Sequence, residues 1–244
     1  MGLLVLSTER PSVGNLFTDT MAATRASLSA APVLLVLIFG ASLAINAITP
    51  LTKDNTDGSA WLPAILLYLG GMLLSISTYA AFARAVELRT REETVDSGEV
   101  LRSALETLFP VAATSLLVGL IAFVGTLLLI VPGIMATCAL YVAIPACVLE
   151  RLSAPEALQR SRSLTKGYRM TLFGMILVAG LAMLPIIGIT IAVGAAAPAL
   201  AFPLLVLQST VLTPFTSAMA AVIFLRLRSA KGLDPVGVIA EKFD

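Results

Sequence analysis

The chain has 244 residues, of which 58% are hydrophobic and only 13% charged, with a formal net charge of +1. Its mean hydropathy of +0.96 exceeds what a soluble globular domain of this length reaches, so the excess of apolar side chains needs an apolar solvent. There is no histidine, which removes imidazole metal sites, Ser-His and Cys-His nucleophile pairs and the commonest proton shuttle.

The chain opens on the short apolar run Met1 to Leu6, broken by Glu9, Arg10 and Pro11. That is unlike a cleavable secretory signal, which has a basic front and a longer apolar core. Leu6 also leaves the myristoylation pattern that begins at Gly2 incomplete. Ser12 with Asn15 is a helix-start signal, and Val13, Leu16, Phe17 and Met21 follow near helical spacing. Two apolar runs come next, about 31–48 and 60–83, separated by a polar stretch with Lys53, Asp54 and Asp57.

A second start signal, Asp96 with Glu99, leads into Val100, Leu101, Leu105 and Leu108. No charged residue lies between Glu106 and Glu150, room enough for two spans of about 20 residues each. Val131, Pro132 and Gly133 are the expected turn between them. A third signal, the capping box Ser153 with Glu156 and Pro155 in the first turn, precedes Ala157, Leu158 and Leu164. The uncharged stretch from Arg169 to Arg226 holds two more spans, turned near Pro198.

The expected fold is therefore all-α: one membrane domain, 1–244, with six transmembrane helices as three hairpins, each preceded by a short interfacial amphipathic helix. The repeats run over about 12–83, 96–149 and 153–226, with a tail at 227–244. Fifteen of the sixteen Lys and Arg fall on one side, Lys53 being the exception, which assigns that side and both termini to the cytoplasm. Gly70, Gly71, Gly119, Gly125, Gly174, Gly180, Gly188 and Gly194 let helices approach closely. Pro145, Pro185, Pro203 and Pro214 are expected to kink or break helices. Cys138 and Cys147 read as packing residues.

The spans hold no Asp, Glu, Lys or Arg, which disfavours proton-coupled transport. Gln208 is expected to make an interhelical hydrogen bond. The densest feature is the loop 150–169. On one helix Arg162, Lys166 and Arg169 would share a face, and with Arg151 and Arg160 they form a candidate site for anionic lipid headgroups. No cofactor and no metal site is expected. Nucleic-acid binding is not expected either, because the basic residues lie against the membrane without interleaved aromatics.

Val131-Pro132-Gly133-Ile134, Pro145, Leu149-Glu150, Glu156-Ala157-Leu158, Arg160-Ser161 and Leu164-Thr165-Lys166-Gly167 together resemble the signature of a bacterial membrane-domain family associated with glycerophosphoryl diester phosphodiesterases. That family in turn looks related to the YciC-like six-helix inner-membrane proteins. Pro132, Gly133, Glu150, Glu156, Arg160, Ser161 and Gly167 carry the match, and Arg162 stands where relatives tend to have an aromatic residue. The chain ends at Asp244 and is similar to members without the soluble phosphodiesterase barrel, so phosphodiesterase activity is not implied. The resemblance implies a bacterial inner-membrane protein with a role in lipid or envelope biology. The expectation is a non-enzymatic protein whose partners are membrane lipids and possibly another membrane protein. A permease or lipid-transport component, with Gln208, Thr213 and the prolines around a cavity, is one alternative. A structural subunit of a larger membrane complex is another.

Overall fold

The computed structural model describes residues 13–30, 32–46, 61–90, 97–128 and 130–232, and among these every regular element is a helix. In chain order they are α1 (Val13–Ala30), α2 (Pro32–Asn46), α3 (Trp61–Thr90), α4 (Ser97–Glu106), α5 (Leu108–Leu128), α6 (Ile130–Leu140), α7 (Ala143–Leu149), α8 (Ala154–Thr165), α9 (Arg169–Ala196) and α10 (Pro198–Ala230). Four helices are long and apolar enough to cross a membrane: α3, α5, α9 and α10. This suggests a membrane protein.

The other two apolar segments are shorter. α2 has 15 residues. The segment after α5 is interrupted at Tyr141 and Val142, which separate α6 from α7. Pro145 explains the interruption, since it has no N–H for the carbonyl four residues back, that of Tyr141, and its ring crowds that carbonyl. Pro185, Pro203 and Pro214 by contrast lie inside continuous helices. The expected turn at 131–133 is corrected: these residues already belong to the first turns of α6. At the α9–α10 junction a single residue, Ala197, leaves helical geometry.

The best-buried part of the molecule lies where α3 and α10 meet. Ala80, Phe82, Val86 and Leu88 of α3 and Ala218, Val222, Phe224 and Leu227 of α10 are almost wholly buried. α1 packs on both helices, and α4 and α7 pack on α3. Toward their other ends α3 and α10 expose leucine, isoleucine and tryptophan instead. α9 is the extreme case, burying only Leu172 and Met175. Such surfaces are stable only where the surroundings are themselves apolar.

The three short helices form, though the start residues Ser12 and Asp96 lie outside the described residues. α1 buries Leu16, Asp19, Thr20 and Ala23, one stripe at helical spacing, while Phe17 and Met21 of the expected apolar face are exposed. α4 buries Val100 but leaves Leu105 exposed. α8 buries Ala157, Leu158, Ser161, Leu164 and Thr165. α10 continues past 226 to Ala230, so the first part of the expected tail is helix; 233–244 lie outside the described residues.

One buried ion pair fixes α1. Arg226 Nε donates to Asp19 Oδ2 at 2.9 Å and Nη2 donates to the same oxygen, with the two residues 5% and 9% exposed. An arginine buried in this way is tolerated because it is paired. Arg84 and the buried Glu87 form a second pair on α3 at 2.6 Å.

Close helix approach depends on fewer glycines than their number indicates. A Cβ at Gly71 would lie 2.9 Å from Ile45 Cγ1 of α2. A Cβ at Gly133 would lie 2.8 Å from the Thr126 Cα and amide nitrogen of α5. By contrast, nothing within 4 Å faces Gly70, Gly119, Gly180 or Gly188.

Gly133→Ala is expected to lower the thermal midpoint of the detergent-solubilised protein by about 1–3 kcal/mol of overpacking, whereas Gly119→Ala leaves it unchanged or higher. Equal midpoints for the two variants would show that α5 and α6 do not touch at Gly133. Asp19→Ala should destabilise by about 3–5 kcal/mol, because Arg226 loses its buried counter-charge, and the double variant Asp19→Leu with Arg226→Met should recover most of the loss.

Candidate functional site

The loop 150–169 is built around the break between α6 and α7. The last carbonyls of a helix have no donor within it, and in α6 that of Ala139 is served from α8. Ser161 Oγ donates to it at 2.8 Å and Thr165 Oγ1 at 3.2 Å, both hydroxyls being fully buried. Thr165 also donates to its own helix at the Ser161 carbonyl, 2.9 Å away. Two side chains of α8 thus cap α6, and α8 is pressed onto the broken segment.

A charge pair holds the same helix from the other side. Arg160 Nε and Nη2 donate to Glu150 Oε2 and Oε1, each at 2.7 Å, a bidentate fork on the residue that ends α7. The Glu150 carboxylate raises the pKa of this guanidinium, so its charge persists throughout the accessible pH range.

The start of α8 is the expected capping box. The Ser153 hydroxyl donates to Glu156 Oε2 at 2.6 Å, and the Ser153 amide to the same oxygen at 3.0 Å. These bonds, the hydroxyl first, hold the Glu156 carboxyl below the usual glutamate range.

Two backbone features shape the ends of the loop. Arg151 has φ +50°, the left-handed region, which costs a residue with a Cβ about 1–2 kcal/mol. It follows the end of α7 and brings the Leu152 amide onto the Cys147 carbonyl at 3.2 Å, a closing bond of the Schellman type. Gly167 has φ +96°, which only glycine adopts readily. α8 therefore ends at Thr165 and α9 begins at Arg169. The expectation that Arg162, Lys166 and Arg169 share one helical face is corrected: the chain turns at Gly167 between them.

The five candidate headgroup residues consequently divide. Arg160 is committed to Glu150. Arg151, Arg162, Lys166 and Arg169 are exposed, and among the described residues only Arg151 of these has a carboxylate near, Glu106 at 3.8 Å, with both side chains largely in the open. Such a pair contributes about 0–1 kcal/mol. Lys231, beyond α10, joins this surface by donating to the Ser163 carbonyl. Sequence reasoning missed Lys231 because it is adjacent only in space.

Of the signature residues, Glu150, Glu156, Arg160, Ser161 and Gly167 shape this loop, and Gly133 makes the close approach to Thr126. Pro132 contributes to the start of α6. Gln208 lies elsewhere, accepting a hydrogen bond from Thr190 at 2.6 Å and so linking α10 to α9. Thr213 borders a small cavity that does not include Gln208 or the prolines. Cys138 and Cys147 are buried and free, and the Cys147 thiol donates to the Leu152 carbonyl. Among the described residues no group of three or more Cys, Asp or Glu is placed to hold a metal ion. No family model, no curated protein and no solved structure matches this chain.

Removing both caps, in Ser161→Ala with Thr165→Val, strands the Ala139 carbonyl and is expected to lower stability by about 1–3 kcal/mol, read as thermal midpoint in detergent. The capping box gives a pH signature. Because the Glu156 pKa is depressed, its stabilisation is present above the ordinary value of about 4.3 and is lost as pH falls through the lowered one. A spin label at Gln159 should become mobile on acidification from about pH 5 to about pH 3, and should already be mobile at neutral pH in Glu156→Ala, which has no side-chain acceptor for the Ser153 amide.

Proposed function

We propose that this protein is a non-enzymatic, six-pass helical protein of a bacterial inner membrane, with the loop 150–169 and both termini on the cytoplasmic side. In this reading α2–α3, α5–α6–α7 and α9–α10 are three hairpins and α1, α4 and α8 lie along the headgroup layer. The one-sided distribution of Lys and Arg supports the orientation, and the family resemblance supports the bacterial envelope. α2 is short for a full span, and residues 47–60 lie outside the described region.

The function proposed for the loop is recognition of anionic lipid headgroups by Arg151, Arg162, Lys166 and Arg169. The observation that carries it is the division of the basic residues. Arg160, the one held by an internal carboxylate, is half-buried, while the other four project outward beside the helices that enter the apolar layer. Each cation near a negatively charged leaflet contributes about 1 kcal/mol of attraction.

A second reading is a subunit with a membrane-protein partner. It is favoured by α9, whose apolar surface finds few contacts within the chain.

Arg162→Gln, Lys166→Gln and Arg169→Gln combined should reduce the phosphatidylglycerol or cardiolipin that co-purifies in mild detergent several-fold, at an unchanged thermal midpoint. Arg160→Gln should instead lower the midpoint through Glu150. Undiminished anionic lipid in the triple variant would refute the headgroup reading, and stoichiometric recovery of one membrane protein instead would favour the subunit reading.

A further inference from the structure

The end of α8 gathers cations without counter-charges. Elsewhere in the described structure cations meet carboxylates: Arg84 with Glu87, Arg102 and Arg151 with Glu106, Arg160 with Glu150, and Arg226 with Asp19. Among the described residues no carboxylate lies within ion-pair distance of Arg162, Lys166, Arg169 or Lys231. The positive-inside bias accounts for cations on one side of a membrane, but it does not crowd four of them around one helix end.

The backbone brings the four together. Arg162 and Lys166 are four residues apart on the exposed side of α8, a spacing that puts Cβ atoms about 5–6 Å apart. Lys166 (φ −61°, ψ 121°) and Gly167 (φ +96°) then form the corner of a type II turn, closed by the Tyr168 amide donating to the Thr165 carbonyl at 3.0 Å. Such a turn keeps its two ends within about 7 Å of each other, so Arg169, the next residue, starts α9 beside the end of α8. Lys231 arrives from the end of α10, and its amino group donates to the Ser163 carbonyl. That carbonyl is one of the last four of α8, which have no donor within the helix. One of the three N–H groups of Lys231 is spent there and two are left for a ligand. The bond ties the fourth cation to the same turn as Arg162 and Lys166.

Four cations so placed repel one another, and an anion among them is attracted in proportion to its own charge. A phosphate diester carries one negative charge. A phosphate monoester, with a second pKa of about 6, approaches two charges above neutral pH and offers three acceptor oxygens. Surrounding cations favour its fully ionised form, and the guanidinium forks of Arg162 and Arg169 suit several oxygens on one phosphorus. The carboxylates nearest along the chain are engaged elsewhere: Glu150 lies in the Arg160 fork, and Glu156 in the capping box at the opposite end of α8.

We propose that the end of α8, with Lys231 bound to it, is a site for a dianionic phosphate monoester, presented as the headgroup of a phosphatidate-type lipid. This rests on the lipid-headgroup reading and narrows it: Arg151, beside Glu106 at the other end of α8, takes no part in the selection. Lys231 is the residue that separates monoester from diester, because it adds the fourth charge from outside the loop.

The test equilibrates the wild-type protein in mild detergent with equal amounts of phosphatidate and phosphatidylglycerol of the same acyl chains and reads the bound lipid by native mass spectrometry. Phosphatidate is expected to be retained about tenfold over phosphatidylglycerol at about pH 8, falling to about twofold at about pH 5.5, where the monoester loses its second charge while arginine and lysine keep theirs. Lys231→Gln, whose amide still donates to the Ser163 carbonyl, should lower the ratio at the higher pH several-fold at an unchanged thermal midpoint, and Arg25→Gln should leave it as it is. Equal retention of the two lipids at the higher pH, or a ratio that Lys231→Gln does not change, would overturn the proposal. The wild-type ratio and its pH dependence decide even if Lys231→Gln does not fold. Equal retention in the wild type with loss of both lipids in the triple variant at Arg162, Lys166 and Arg169 sinks the dianion alone; undiminished lipid in that variant sinks the headgroup reading as well. Bound phosphatidate is expected to persist in millimolar inorganic phosphate, whereas its displacement would overturn the lipid as the source of the monoester.

Discussion

The structure depends on a constraint set by its apolar surroundings: a backbone carbonyl that loses its helical donor must find another inside the protein. Pro145 interrupts the segment after α5 and takes the donor from the Tyr141 carbonyl, and at the end of α6 that this leaves, Ser161 and Thr165 answer from α8 at the Ala139 carbonyl. Because the answer comes from a helix 22 residues away in sequence, the break and the loop that follows cannot be separated. The Glu150–Arg160 fork, the Ser153–Glu156 box and the turn at Gly167 then fix where α8 begins, lies and stops.

The residues that look most like a site are thereby mostly architecture. Glu150, Glu156, Arg160, Ser161 and Gly167 form an interlocked frame, and the chemistry left to the surface belongs to Arg151, Arg162, Lys166 and Arg169. Arg151 does both: its left-handed backbone closes the end of α7 while its side chain stays out. A glycine would suit that backbone better, so an arginine there makes its charge the notable property of the position.

Burial is unevenly distributed, with tight packing where α3 and α10 meet and apolar surface elsewhere. The well-packed end is also where charges are buried, Asp19 with Arg226 and Arg84 with Glu87. This end is knit by polar pairs specific to each neighbour, whereas the opposite ends of α9 and α10 touch through apolar surfaces and the Thr190–Gln208 bond. α9 therefore has the freedom to meet lipid or another chain.

Much of this was legible without coordinates. The uncharged stretches 107–149 and 170–225 can only be apolar helices, because hydropathy acts over a whole span and needs no knowledge of neighbours. The cap at Ser153–Glu156 was legible for the opposite reason, being complete within four residues. Gln208 was readable as an interhelical bond because a lone amide in an apolar helix has few other outlets. Contacts between distant segments were not legible. The partner of Asp19 is Arg226, that of Arg160 is Glu150, and among the described glycines Gly71 and Gly133 make the tight approaches. Which residues are helical and apolar can be read from the chain alone, since that follows from local composition and spacing. Which charges are neutralised and which carbonyls are capped from elsewhere emerges with the packing, because each depends on the distance between helices rather than on the order of residues.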